Sequence, residues 1–225
     1  MSANPLKVLI ESLQVFYGVP SPPPVTDPYQ LIIWENASYL VNDQRQAQVF
    51  NQLRDSLGLD PETLLSVPPN KLAEIIQQGG MHPQRRASKV RSCASLALET
   101  GLDRLRLMVR ESPQQASKAL RKFPRIGEPG ADKILLFAGS KKCLAPDSNG
   151  LRVLTRFGLG SEMKNYGQTY RSAAQAVEPL LPDDFPWLIR AHHSLRQHGK
   201  ELCKHSTALC LDCPVKKDCH WFQGS

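Results

Sequence analysis

Apolar residues recur at three-to-four spacing along most of this chain. The first such stretch, Leu6 to Phe16, is amphipathic. It runs into Val19-Pro20-Ser21-Pro22-Pro23-Pro24-Val25, where four prolines in five residues forbid a helix and predict a stiff, extended connector. From Pro28 the helical period resumes through Ile32, Ile33, Tyr39, Leu40, Ala47, Phe50, Leu53 and Leu57, and Gly58 marks the stop. The same period predicts helices over 61–65, 70–77, 84–99, 102–110, 113–122, 131–138, 149–157 and 170–177, with turn residues such as Gly79-Gly80, Thr100-Gly101 and Ser112-Pro113 between several of them. No segment alternates with period two in β-branched residues. The expected fold class is all-α, built from many short helices. Pro182-Asp183-Asp184-Phe185-Pro186 reads as a further linker, leading into the last helix.

With 225 residues and 41% hydrophobic content the chain can build one large domain or two modest ones. No apolar run approaches the ~20 residues of a membrane span, and Met1–Ile10 lacks the basic-then-apolar pattern of a signal peptide. The expectation is a soluble, cytoplasmic protein with no membrane partner, nucleoid-associated if bacterial. Six cysteines are too sparse for a disulfide scaffold and read as free thiols or metal ligands. Net charge is +7, and its distribution is uneven. Residues 1–112 hold 11 basic and 11 acidic side chains, whereas residues 113–225 hold 17 and 10, so the whole surplus lies in the second half. A one-sided surplus of this kind fits a polyanionic partner or a generally basic surface.

Three motifs narrow the choice. Cys203, Cys210, Cys213 and Cys219 form C-x6-C-x2-C-x5-C, enough thiolates to saturate one centre. Spacing alone admits zinc, with His205 and His220 as spare ligands, or an iron–sulfur cluster. Lys204, His205, Lys216 and Lys217 decorate this loop. Cys93, in an apolar helical stretch, reads as a small core residue. Phe123-Pro124-Arg125-Ile126-Gly127-Glu128-Pro129-Gly130-Ala131-Asp132 is a glycine-containing turn between two helices, preceded by Lys118, Arg121 and Lys122. Backbone amides at such a helix start make a phosphate site. Asp147, just before the helical run from Asn149, suits a helix cap. Glu35 follows Ile32, Ile33 and Trp34 on a helix, where partial burial would suit it to proton transfer.

These residues resemble the endonuclease III/MutY group of helix-hairpin-helix DNA glycosylases, over about Pro28 to Cys219. The cysteine spacing matches that family's [4Fe-4S] loop. The turn resembles its hairpin, L-P-G-V-G-x-[K/S]-[T/V]-A, with two departures: Arg125 stands at the first glycine, and Pro129 stands where bifunctional members carry their Schiff-base lysine. Asp147, with Asn149 and Arg152 around it, resembles the segment supplying the active-site aspartate. Asp27-Pro28-Tyr29 through Glu35 resembles the D-P-Y-x-x-W-L-S-E stretch of MutY-type enzymes, whose glutamate is the general acid; Tyr39-Leu40-Val41 departs from the Q-Q-T beside it, so the target base need not be adenine.

The resemblance implies a two-domain helix-hairpin-helix DNA glycosylase fold: a six-helix barrel with the hairpin over 28–140, and an iron–sulfur cluster domain from 1–27 with 141–225. It implies a monomeric base-excision glycosylase acting on double-stranded DNA with a damaged or mispaired base. Asp147 and Glu35 would be catalytic, Arg125, Ile126, Gly127 and Gly130 would bind DNA, and Cys203, Cys210, Cys213 and Cys219 would hold a [4Fe-4S] cluster. With proline at the lysine position the enzyme is expected to be monofunctional. The alternatives are a bifunctional glycosylase/lyase using Lys133, one helical turn on, or a non-catalytic iron–sulfur sensor of lesions.

Overall fold

The computed structural model describes residues 4–21 and 25–224. Pro22, Pro23 and Pro24 of the expected connector lie outside the described residues; Val19, Pro20 and Ser21 before them are not helical. Among the described residues there is no strand, only an isolated bridge between Tyr39 and Gly80. The helices are α1 (Pro5–Tyr17), α2 (Pro28–Ala37), α3 (Asp43–Leu57), α4 (Pro61–Ser66), α5 (Pro69–Ile75), α6 (Pro83–Thr100) and α7 (Leu102–Glu111). They continue as α8 (Pro113–Leu120), α9 (Glu128–Phe137), α10 (Ser148–Phe157), α11 (Tyr166–Val177), α12 (Phe185–Glu201) and α13 (His220–Gln223). No described helix is long and apolar enough to cross a membrane.

Local chemistry sets most helix starts. Asn4, Asp27, Asn42, Asp60, Asp147, Asn165 and Asp184 each accept a first-turn backbone N–H through the side chain. Proline follows directly in Asn4-Pro5, Asp27-Pro28 and Asp60-Pro61, where its missing N–H costs nothing. Three boundaries differ from the periodicity. The run from Pro28 to Leu57 breaks at 38–42, where Leu40 takes φ 57°, Tyr39 N–H donates to Gly79 O at 2.7 Å and Asn42 recaps the chain. Helix α9 starts at Glu128 rather than Ala131, because Pro129 fits its first turn, and Asn165 starts α11 at Tyr166.

The chain forms two compact units, Pro23–Ser140 and Met1–Pro22 with Lys141–Ser225. The central unit, 23–140, is organised on α6, which contacts α2, α4, α5 and α7. Its inward residues Ala87, Val90, Cys93, Ala94 and Ala97 are fully buried and small, so neighbouring helices approach closely. In the terminal unit α1 buries Leu6, Leu9, Ile10 and Leu13, one stripe at i, i+3, i+4 and i+7. They join Leu144, Leu151, Leu154, Tyr170, Ala191 and Leu195 in one core. Helices α10 and α12 cross at Gly199, where a Cβ would meet Asn149 O at 2.5 Å.

Candidate active site

In the central unit the hairpin is α8, the turn 121–127 and α9. Arg125 adopts φ 63°, the left-handed region that favours glycine. Two contacts offset that strain: Arg125 Nη1 donates to Ser38 O at 3.1 Å, and its guanidinium stacks 4.6 Å from the Tyr39 ring centroid. Asn36 Nδ2 ties the same turn to α2, donating to Pro124 O at 3.1 Å and to Ile32 O at 3.0 Å. Ile126 is buried, and its amide donates to Phe123 O at 3.1 Å. Gly127 is the N-cap of α9 without a side-chain cap, and Gly130 sits in the first turn in ordinary contact with Ile126. Amides of a first helical turn have no intrahelical partner; Pro129 contributes none.

Glu35, on α2, meets Lys133 of α9. Lys133 Nζ donates to Glu35 Oε2 at 2.7 Å, and both side chains are about four-fifths buried, at 21% and 19% exposure. The Glu35 carboxylate is therefore paired, across the central unit, with a lysine of α9.

Beside the hairpin the central unit holds a cavity of about 330 Å³ that sequence reasoning missed, lined by Tyr39, Met81, His82, Arg85, Lys89 and Arg125 among others. Leu40, His82 and Arg125, at or beside it, are the described non-glycine residues with positive φ, a concentration of strain typical of functional surfaces. Arg86 holds its floor. This residue is 2% exposed and donates to five carbonyls: Met81, Ala37, Ile76, Gln77 and Gly80. Burial, then the nearby charge of Arg125, lowers its pKa from the usual arginine value. Gly79 is required beneath it, since a Cβ there would meet Arg86 Nη1 at 2.5 Å. The available signal was Gly79-Gly80 followed by Arg85, Arg86 and Lys89.

In the terminal unit Asp147 caps α10. Its Oδ1 accepts the amides of Asn149 and Gly150 at 3.0 and 2.9 Å, and Arg196 Nε lies 3.2 Å from Oδ2. Burial, with the Asp147 charge second, raises the Tyr166 phenol to about 12. Asn149 Oδ1 accepts from Arg152 Nη2 at 3.0 Å, and Arg152 also donates to Gly199 O at 2.7 Å and Cys203 O at 2.8 Å. A chain of hydrogen bonds thus runs from beside Asp147 to the first loop cysteine.

Cys203, Cys210, Cys213 and Cys219 line one cavity. Burial, and after it the neighbouring cysteines, raise the Cys210 and Cys213 thiols, so thiolates gathered here need a cation. Arg156 Nη1 lies 3.5 Å from Cys203 Sγ. His198, 1% exposed and pushed down to about 4 by burial, has Nε2 3.5 Å from Cys213 Sγ and Nδ1 3.0 Å from the Tyr17 hydroxyl. Among the described residues no three His, Cys, Asp or Glu side chains converge on the position of one metal ion. Cys93 is buried on α6 and Cys143 lies outside the cavity.

No family model matches the chain. It is 24% identical over 198 residues to endonuclease III of Thermotoga maritima, covering 88% of this chain and 85% of that one. It is 22% identical over 223 residues to a protein of Methanocaldococcus jannaschii named as a DNA repair glycosylase, covering 95% and 93%. The structure of a non-covalent endonuclease III–DNA complex superposes with TM-score 0.73 at 17% identity, over 100% of this chain and 98% of that one. These relatives and this structural neighbour support the helix-hairpin-helix DNA glycosylase superfamily. The chain is a DNA N-glycosylase with an all-α fold. In this glycosylase the hairpin and Glu35 belong to the central unit, while Asp147 and the four loop cysteines belong to the terminal one.

Proposed function

We propose that this glycosylase is monofunctional, acting as a monomer on double-stranded DNA that carries a damaged or mispaired base and leaving an abasic site with the strand intact. The observation that carries the reading is the 2.7 Å pair between Lys133 and Glu35. A lyase needs an amine with an available lone pair. Pro129 has no side-chain amine, and an ammonium donating to a carboxylate has no lone pair to offer C1′. Flipping exposes the glycosidic bond and favours weakly paired targets. Asp147, held as an acceptor by two amides and Arg196, faces the positive charge that develops on the sugar as the base departs with the bonding electrons. Glu35, in acceptor form beside Lys133, takes the proton of the attacking water. Arg125, Gly127, Gly130 and the turn around Ile126 hold the backbone through helix-start amides and positive charge, with Arg85 and Lys89 beside them.

The cysteine cavity fits a [4Fe-4S] cluster, which supplies one iron per thiolate and a fixed loop carrying Lys204 and Lys217 toward phosphate. Cys203, Cys210, Cys213 and Cys219 would hold it. A panel of lesion and mismatch duplexes under single turnover, with and without alkali, tests the reading. Base release with strand scission only after alkali is expected; breaks without alkali, or a borohydride-trapped adduct at Lys133, would overturn monofunctionality.

A further inference from the structure

The terminal unit carries a second cavity, about 490 Å³, along α10. Ser148, Leu151, Arg152, Thr155 and Arg156 form its floor, a single helical face at i, i+3, i+4, i+7 and i+8. Eight residues of rise make that floor about 12 Å long. One end begins at the residue after Asp147, and the other reaches Trp221 and His205 beside the cysteine loop. Residues 162–166 form the facing wall and are all exposed, so the groove lies open along its length. Small-molecule sites bury most of their ligand; an open trough suits a polymer.

Two aromatic side chains stand at this groove instead of in a core. Tyr166 is 47% and Trp221 50% exposed. Trp221 rests on the Arg156 guanidinium at 4.6 Å, which fixes its plane. Arg152 and Arg156 are hydrogen-bonded to carbonyl oxygens, an amide oxygen and a sulfur, and to no carboxylate. Lys164 makes no ion pair among the described residues, and Glu162 is the one acid of the lining. Exposed rings interleaved with cations are what binds a nucleic-acid strand through its bases and phosphates without reading its sequence.

We propose that this groove seats the DNA strand adjoining the nucleotide whose base is released, with a base or sugar against Tyr166 and Trp221 and a phosphate against Lys164. The proposal rests on the glycosylase reading, because it takes the sugar under attack to lie at the Asp147 end. A floor of about 12 Å exceeds the 3.4 Å rise of one nucleotide, so a strand leaving that end continues into the groove.

The test uses the cluster-loaded full chain and a duplex with a tetrahydrofuran abasic analogue, bearing 5-iodouracil one, two or three nucleotides to either side. Irradiation and peptide mapping should give adducts on Tyr166 or Trp221 from one side of the analogue only. Tyr166→Ala, at an exposed position, should weaken binding roughly 5- to 100-fold, with visible absorption and helical content retained. Lys164→Gln should flatten the slope of log affinity against log salt by about 0.9. Adducts confined to residues 23–140, with both variants binding as the parent does, would overturn the groove and leave the glycosylase reading standing. Failure of the parent to bind any duplex would overturn both.

Discussion

Asp147→Asn separates chemistry from stability at one position. The amide oxygen of asparagine still accepts the Asn149 and Gly150 amides, and asparagine caps helices as well as aspartate does. What disappears is the negative charge at the start of α10, about 0.3–1 kcal/mol, and the largely buried hydrogen-bonded pair with Arg196, about 0.5–1.5 kcal/mol. The total is roughly 0.8–2.5 kcal/mol, a melting-temperature drop of several degrees. Losing a group that faces charge developing in the transition state costs far more, roughly 10²–10³-fold in rate. Single-turnover base release and urea unfolding, measured on one preparation, read the two quantities. Arg196→Met is the control, since it removes the same ion pair and keeps the carboxylate at the helix start; it should lose only the ion-pair share of the stability and retain most of the rate. Release by Asp147→Asn within tenfold of the parent, or equal rate losses in both variants, would refute the assignment.

Other consequences are as direct. Arg86→Met strips donors from five carbonyls at once and should lower stability by about 3–5 kcal/mol in urea unfolding; a loss below about 1 kcal/mol would show that water replaces it. Burial raises the Cys93 thiol from 9.0 to about 12, so above pH 9 the unfolded chain holds fewer protons than the folded one and stability falls as pH rises through that window. Urea midpoints should therefore drop between pH 9 and pH 11 in the parent and less in Cys93→Ala. Serine at Cys203, Cys210, Cys213 or Cys219 should abolish visible absorption of the purified protein, whereas Cys143→Ser should leave it unchanged.

Much of the fold was legible because it is written in local chemistry. Aspartate or asparagine ahead of proline marks a helix start whatever surrounds it, and the stripe Leu6, Leu9, Ile10, Leu13 declares its buried face. What periodicity does not reach depends on partners distant in sequence. Arg86 looks like one of three surface cations until the ends of α2 and α5 bring their carbonyls to it. Nothing near Glu35 announces Lys133, 98 residues away. The break at 38–42 is invisible to periodicity because Tyr39 and Leu40 keep the apolar spacing; the bond from Tyr39 to Gly79 draws the chain out of the helix. The four cysteines, close in sequence, needed only a loop to line one cavity, while the basic cavity beside Arg125 draws on three separate segments.

Helix α1 belongs to a core whose other members come from beyond residue 140. On the ribosome it is made before every other member of that core and waits longest for its partners. At roughly 5–20 residues per second, its leucine stripe waits on the order of 10–40 s for α12 to emerge, while the 23–140 segment, contiguous in sequence, can fold in the meantime. Nascent chains of this protein should therefore pass through a stage with one finished unit and one exposed apolar helix, and should call on chaperones at that stage more than at any other.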